Sequence, residues 1–160
     1  MSNVSQLDQI GVNMKSINKT ILFFALISFQ AFAANNSKQE NGYEVNYIAL
    51  STMVLTPEVA KNYQIGRSKS KGFVNIAVLK TNTNAISSPV EATIVLSAKN
   101  SYGQNKSVLL EKISENDGAI YYIGTFSISS KETINFKAQV QPANTTHLIE
   151  IKFTKDFYTD

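Results

Sequence analysis

The chain contains 160 residues, with 15 lysines and arginines against 12 aspartates and glutamates, and it has no cysteine. This length suits a single domain, and the lack of cysteine excludes disulfides, thiolate nucleophiles and cysteine-ligated zinc. The formal net charge of +3 is too small for the basic surface that nucleic-acid-binding proteins need, so no nucleic-acid partner is expected.

Residues 14–33 have the three parts of a secretory signal peptide. A positively charged start is followed by a short apolar run, and small residues precede a cleavage site near Ala33 or Ala34. The run is shorter than the roughly 20 apolar residues of a membrane-spanning helix, and no later segment is apolar enough to span a membrane. The pattern predicts an exported protein, and it makes residues 1–13 a misassigned or dispensable extension before Met14.

The remainder is predicted to be one β-rich domain at residues 43–160, preceded by a flexible polar lead-in at residues 34–42. In chain order, the first strand is expected at residues 43–50, where side chains of one parity are apolar. Residues 72–80 are apolar on both parities, which is typical of a central strand with both faces covered.

Alternation of apolar and polar residues predicts further strands at residues 90–98, 133–140 and 148–153. Val95 is the exception in the first of these, because it is apolar on the polar face. The pair Asp117-Gly118 separates two more strand-like segments and favours a hairpin with a two-residue type I′ turn.

One segment is helical rather than strand-like. Thr56 can cap a helix, Pro57 suits its first position, and Glu58 lies in the first turn, where the helix dipole favours a negative charge. We expect one to two helical turns near residues 57–64, with Gly66 as the stop. Val59 and Tyr63, four residues apart, would face the sheets.

These elements predict an all-β fold. About seven strands with one short helical turn indicate an antiparallel β-sandwich of immunoglobulin-like size. The cysteine and tryptophan signature of true immunoglobulin domains is absent, so the prediction concerns the architecture alone.

Catalytic patterns are weak. His147 is the only histidine, no Gly-x-Ser-x-Gly motif surrounds a serine, and the sequence predicts no catalytic residue and no cofactor. The remaining possibility is a hydrolase site in which Ser68 or Ser70 works with a lysine such as Lys69. No metal site is expected, because zinc ligands are lacking and the acidic residues around Asp117 suit a turn better than calcium.

The densest charge in the chain follows the predicted helix. Arg67, Lys69 and Lys71 alternate with serines, and Lys61 and Tyr63 precede them. Several cations on one face can bind a phosphate, a lipid headgroup or an acidic protein, so these five residues form the predicted binding site. The competing interpretation is a solvated loop whose charges keep one end of the sheet soluble.

Four segments resemble a known bacterial family in the same order along the chain. They are LTPEVAKNYQIGRSK at residues 55–69, VNIAVLK at 74–80, DGAIYYIGTF at 117–126 and KDFYTD at 155–160. The family is domain-of-unknown-function family 4426, which comprises small proteins with a signal peptide and one β-rich domain. The resemblance implies a periplasmic protein of a Gram-negative envelope, and it assigns no catalytic or binding residue.

The leading hypothesis is therefore a periplasmic binding or interaction module without chemistry of its own. Its contact surface would be residues 56–71, and its partner an envelope protein or an anionic ligand. One alternative is the serine and lysine hydrolase. The other is a structural or chaperone-like subunit that pairs with another chain through a sheet edge.

Overall fold

The computed structural model describes residues 37–82 and 85–159, which form ten strands in two antiparallel sheets with two short helical segments between β2 and β3. The strands are β1 (Ser37–Glu40), β2 (Tyr43–Ser51), β3 (Lys71–Asn82), β4 (Ala85–Pro89), β5 (Ala92–Asn100), β6 (Asn105–Lys106), β7 (Glu111–Ser114), β8 (Ile120–Ser127), β9 (Glu132–Pro142) and β10 (Ile149–Phe157). The helical segments are a 3₁₀ turn (Thr52–Val54) and the helix α1 (Pro57–Asn62). The predicted signal peptide and the extension before it lie outside the described residues.

The six-stranded sheet has the order β1-β2-β3-β8-β7, with β4 also pairing with β3, and the four-stranded sheet has the order β10-β9-β5-β6. Every strand pair among the described residues is antiparallel. The predicted all-β antiparallel sandwich is therefore confirmed. The expected count of about seven strands omitted the short strands β1, β4 and β6, and β1 lies within the segment that the sequence predicted as a polar lead-in.

The main core lies between the two sheets and contains the side chains that the alternation patterns placed inside. Val45 and Ala49 of β2 and Ala138 and Val140 of β9 are all buried in this core. The rings of Phe136, Phe153 and Tyr47 form a continuous stack, with centroids 4.6 Å and 4.7 Å apart. Phe153 thus carries the stack from the four-stranded sheet to the six-stranded one.

A second cluster covers the outer face of the six-stranded sheet. We call it the outer cluster; its buried members are Leu55, Val59, Ala60, Phe73, Tyr121 and Ile123. Val59 and Tyr63 do face the sheet as predicted, and β3 is apolar on both parities because one face lines the main core and the other this cluster. The outer cluster fixes α1 on the sheet. Residues 66–70, which carry Arg67 and Lys69 and which we call the basic loop, follow α1 and lead into β3.

The hairpin between β7 and β8 occurs where the sequence predicted it, but its turn is of another type. A type I′ turn needs positive φ at both central residues, and here only Gly118 has it, with φ of 89°. The Gly118 N–H donates to the Glu115 carbonyl (3.0 Å), and the Glu115 N–H donates to the Ala119 carbonyl (2.9 Å). The loop is thus three residues long and ends on a glycine in the left-handed region, which Asp117 need not enter.

Among the described residues, no helix has both the length and the apolar character needed to cross a membrane.

Candidate functional site

The helix α1 begins and ends through identifiable contacts. The Thr56 hydroxyl accepts a hydrogen bond from the Val59 N–H (3.2 Å), which caps the N-terminus as predicted. At the other end, the Ile65 N–H donates to the Ala60 carbonyl (2.7 Å), with Gln64 in the left-handed conformation (φ 54°). This is a Schellman ending, in which the helix ends at Asn62 and Gln64 takes the left-handed position beyond it. The prediction of Gly66 as the stop was therefore wrong.

A buried hydroxyl joins the basic loop to the 3₁₀ turn. Thr52 is fully buried; its Oγ1 accepts a hydrogen bond from the Ser68 N–H (2.9 Å) and donates one to the Ser68 carbonyl (3.1 Å). The Arg67 Nη2 donates to the Met53 carbonyl at 3.1 Å. The 3₁₀ turn and the loop therefore form one rigid unit, although they are separated in sequence by α1.

The serines of the loop stabilise its turn. The hydroxyls of Ser68 and Ser70 lie 3.0 Å apart, and the Ser70 N–H donates to the Ser68 Oγ (3.2 Å). No lysine ammonium within residues 37–82 and 85–159 forms a hydrogen bond with either hydroxyl. The contacts seen here are those of a Ser-centred turn, and they bring no general base to a serine nucleophile.

The four cations of the predicted site form no ion pair in the described part of the chain: no carboxylate there pairs with Lys61, Arg67, Lys69 or Lys71. Five other lysines do form such pairs; they are Lys38, Lys106, Lys112, Lys137 and Lys152. Glu58 is the only acidic residue in the sequence from residue 51 to residue 71. The loop is therefore a region of uncompensated positive charge.

A cavity of about 210 Å³ lies beside the loop, on the outer face of the six-stranded sheet. Its floor is formed by Phe73 of β3 and residues 123–125 of β8, and its walls by residues 63–66 and by the segment that leads into β7. Lys71 lines it, with its Nζ 3.3 Å from the position that a Cβ on Gly66 would occupy. Lys71 and Tyr63 therefore share one site, whereas Lys61, Arg67 and Lys69 lie outside the cavity lining. Glu111 adds a carboxylate to its rim.

The Tyr63 hydroxyl is already engaged in a hydrogen bond within the protein. It donates to the Glu115 Oε1 at 2.6 Å. Burial first, and then this carboxylate, raise the pKa of the Tyr63 phenol well above its usual range, so it stays neutral. Since Glu115 lies directly before the three-residue β7–β8 loop, Tyr63 links the end of α1 to that hairpin.

Sequence reasoning missed two exposed apolar residues beside the basic loop. The side chains of Met53 and Val54 in the 3₁₀ turn are 42% and 62% exposed. Apolar residues that directly follow a strand are usually expected in the core. The only sequence signal for a tight turn here is that two cap-forming residues, Ser51 and Thr56, flank the pair. The Ser51 hydroxyl does accept a hydrogen bond from the Met53 N–H (3.3 Å).

In the described part of the chain, neither His147 nor the acidic residues form a catalytic or metal-binding group. His147 is exposed, in the connection that precedes β10. Over the described ranges, no group of three or more histidine, aspartate or glutamate side chains could hold a metal ion.

Comparisons with known proteins identify the family. A family model described as "Domain of unknown function (DUF4426)" matches residues 37–160. The crystal structure of a DUF4426 family protein from Pseudomonas aeruginosa PAO1 is similar to this chain, with 28% sequence identity and a TM-score of 0.63, over 78% of this chain and 94% of that one. No curated protein matches the chain. Because the family match covers most of the sequence, including the helix, the basic loop and both sheets, the chain belongs to the DUF4426 family.

Proposed function

We propose that the protein is an exported, non-catalytic binding module of the bacterial envelope, and that residues 56–71 form its contact surface for a negatively charged partner. Export is supported by the signal-peptide pattern of residues 14–33. The same pattern supports the periplasmic location that is part of this proposal.

The observation that carries the proposal is that cations without ion-pair partners in the described residues lie in or beside a loop whose backbone is held in place by hydrogen bonds. Arg67 and Lys69 project from a loop whose backbone is fixed by the buried Thr52 hydroxyl and by the ending of α1, while Lys61 lies in the last turn of α1 and Lys71 begins β3. Among the described residues, none of these four cations has an ion-pair partner. A loop that only keeps a sheet end soluble gains nothing from being held in one conformation. A recognition surface does gain, because a rigid surface loses less conformational entropy when it binds.

The electrostatics favour an acidic partner over a neutral one. Arg67 presents a planar guanidinium, which suits bidentate binding of carboxylate or phosphate, and Lys69 occupies the tip of the adjacent turn. Lys71 extends the positive charge to the cavity beside Tyr63. The charges therefore run from the exposed loop to a concave surface.

The test is crosslinking in cells of the native host, followed by affinity capture of the tagged protein and mass spectrometry. The wild type is compared with Arg67→Ala/Lys69→Ala, which leaves the Thr52 contacts to the Ser68 backbone in place. The matched control is Lys99→Ala/Lys155→Ala, which removes two exposed cations from the four-stranded sheet.

We expect the wild type and the control to capture the same partner and the Arg67/Lys69 variant to lose it while its thermal unfolding is unchanged. If the variant captures every partner of the wild type, residues 56–71 are not the contact surface.

A further inference from the structure

We infer that the 3₁₀ turn and the basic loop together form a tip that docks on an anionic lipid surface. We call this tip the apolar–basic tip and define it by Met53, Val54, Arg67 and Lys69. The inference rests on the proposed function, since it names the class of negatively charged partner that the contact surface would bind.

The first argument is the exposure of large apolar side chains at a rigid turn. Met53 and Val54 are 42% and 62% exposed, whereas their neighbours Thr52 and Leu55 are almost fully buried. The Leu55 N–H donates to the Thr52 carbonyl (3.3 Å), which closes the turn and directs the two intervening side chains outward. Two adjacent apolar side chains at a tight turn can enter the boundary between headgroups and acyl chains.

The second argument is that cations border the apolar pair. The Arg67 guanidinium contacts the Met53 carbonyl directly, and the Thr52 hydroxyl holds the backbone of Ser68, the residue between Arg67 and Lys69. The cations therefore lie beside the apolar turn in space, although α1 separates them from it in sequence. Anionic headgroups attract such cations while the apolar side chains bury their surface.

The third argument separates a lipid surface from a free anion. Arg67 and Lys69 alone would suit inorganic phosphate equally well. A dissolved anion, however, offers nothing to Met53 and Val54, whereas a bilayer surface offers charge and apolar depth together. The combination thus favours a lipid surface.

The experiment uses the protein expressed as the full chain and purified after its own export and processing, with its N-terminus identified by mass spectrometry. Binding is measured by co-sedimentation with phosphatidylcholine vesicles that contain phosphatidylglycerol, and with vesicles of phosphatidylcholine alone. Thermal unfolding verifies that every variant is folded.

The variants separate charge from apolar insertion. We expect Arg67→Ala/Lys69→Ala to weaken binding to anionic vesicles about 30-fold, because each cation near an anionic surface contributes roughly a fivefold change in partitioning. Met53→Ser/Val54→Ser should weaken it about tenfold or more, because it removes apolar surface from the contact. The matched controls, Lys99→Ala/Lys155→Ala and Val95→Ser, should bind like the wild type, since they remove similar groups from the four-stranded sheet.

Three results would overturn the inference. They are equal binding of the wild type to both kinds of vesicle, unchanged binding by Met53→Ser/Val54→Ser, and full displacement from vesicles by millimolar inorganic phosphate at constant ionic strength. If the wild type binds no anionic vesicles but captures a protein through Arg67 and Lys69 in cells, the lipid inference fails and the proposed function stands. If both experiments are negative, both fail.

Discussion

The Thr52 hydroxyl accepts a hydrogen bond from the Ser68 N–H (2.9 Å) and donates one to the Ser68 carbonyl (3.1 Å), across 16 residues of sequence. Thr52 has no exposed surface. A buried hydroxyl that both donates and accepts has few ways to rearrange, so this pair holds the basic loop against the 3₁₀ turn. The position of Arg67 and Lys69 depends on it.

Thr52→Val removes this hydroxyl with little change in shape. The Ser68 carbonyl still accepts from the Lys71 N–H (3.1 Å), but the Ser68 N–H loses its partner, so we expect a loss of about 1–3 kcal/mol in the free energy of unfolding. Urea unfolding measures this loss, and amide hydrogen exchange should become faster at Ser68. Thr52→Ser keeps the hydroxyl and should cost about 1 kcal/mol for the lost methyl group. A Thr52→Val protein as stable as the wild type would contradict the role given to this contact.

Gly72 is required by a neighbouring aromatic ring. A Cβ at this position would overlap the ring of its register partner Phe126, which is 4% exposed and wedged against Phe136 and Phe157. Gly72→Ala should therefore cost about 2 kcal/mol or more in unfolding free energy.

The control for that substitution is Gly66→Ala. A Cβ there meets only the mobile end of Lys71, and Gly66 does not have positive φ. Denaturant titration should find this variant within about 0.5 kcal/mol of the wild type. Equal losses in both variants would show that steric overlap with Phe126 is not the cause.

The ending of α1 is strained at Gln64, a residue with a side chain in the left-handed region (φ 54°). Glycine adopts this conformation without steric cost, although it loses more entropy on folding. Gln64→Gly should therefore raise the free energy of unfolding by about 0.5 kcal/mol, seen as a higher midpoint of urea unfolding. Gln64→Ala keeps the strain and should leave the free energy of unfolding unchanged. A destabilised Gln64→Gly protein would mean that the Gln64 side chain makes a contribution larger than the strain.

Acid sensitivity should depend on Glu132 at the start of β9. Burial alone would raise the pKa of this carboxyl, but hydrogen bonds from Lys106 (2.6 Å) and from Asn100 and the Ser129 N–H outweigh burial and lower the pKa below its usual range. A lowered folded-state pKa stabilises the fold above the unfolded-state value, and that stabilisation is lost as the pH falls through the folded-state pKa. Stability should thus decrease below about pH 4.5.

Glu132→Gln tests this assignment. The variant should be less stable than the wild type at pH 7, because the mostly buried Lys106 ammonium loses its charge partner, and its stability should change less between pH 4.5 and pH 3. Glu91→Gln, at an exposed ion pair with Lys112, should have little effect at either pH. Identical pH profiles for wild type and Glu132→Gln would exclude Glu132 as the source.

The long strands could be predicted from sequence because each has at least one apolar, buried parity. The alternation in β9 and the double-sided apolar pattern of β3 placed their side chains correctly, and Val95, the exception in β5, is indeed 63% exposed. The strands β1, β4 and β6 were missed because they are short and partly polar. Each is formed by hydrogen bonds to a neighbouring strand, and its own sequence has no alternation of apolar and polar residues long enough to predict it.

The candidate site was only half predictable. The charges at Arg67 and Lys69 can be read directly, and the cap at Thr56 follows from its chemistry. The contact between Thr52 and Ser68 is long-range and leaves no local pattern, and the exposure of Met53 and Val54 follows only from that packing. The site therefore emerges from how α1 folds back on the sheet.

The most direct test of the central claim is site-specific photo-crosslinking in cells of the native host. A photo-reactive residue replaces the exposed Ser70, which keeps all four cations of the contact surface, and in a parallel strain it replaces the exposed Ser97 on the four-stranded sheet. We expect an adduct with one negatively charged partner, protein or lipid, at position 70 and none at position 97. Adducts at position 97 alone, or equally at both positions, would contradict the assignment of residues 56–71 as the contact surface.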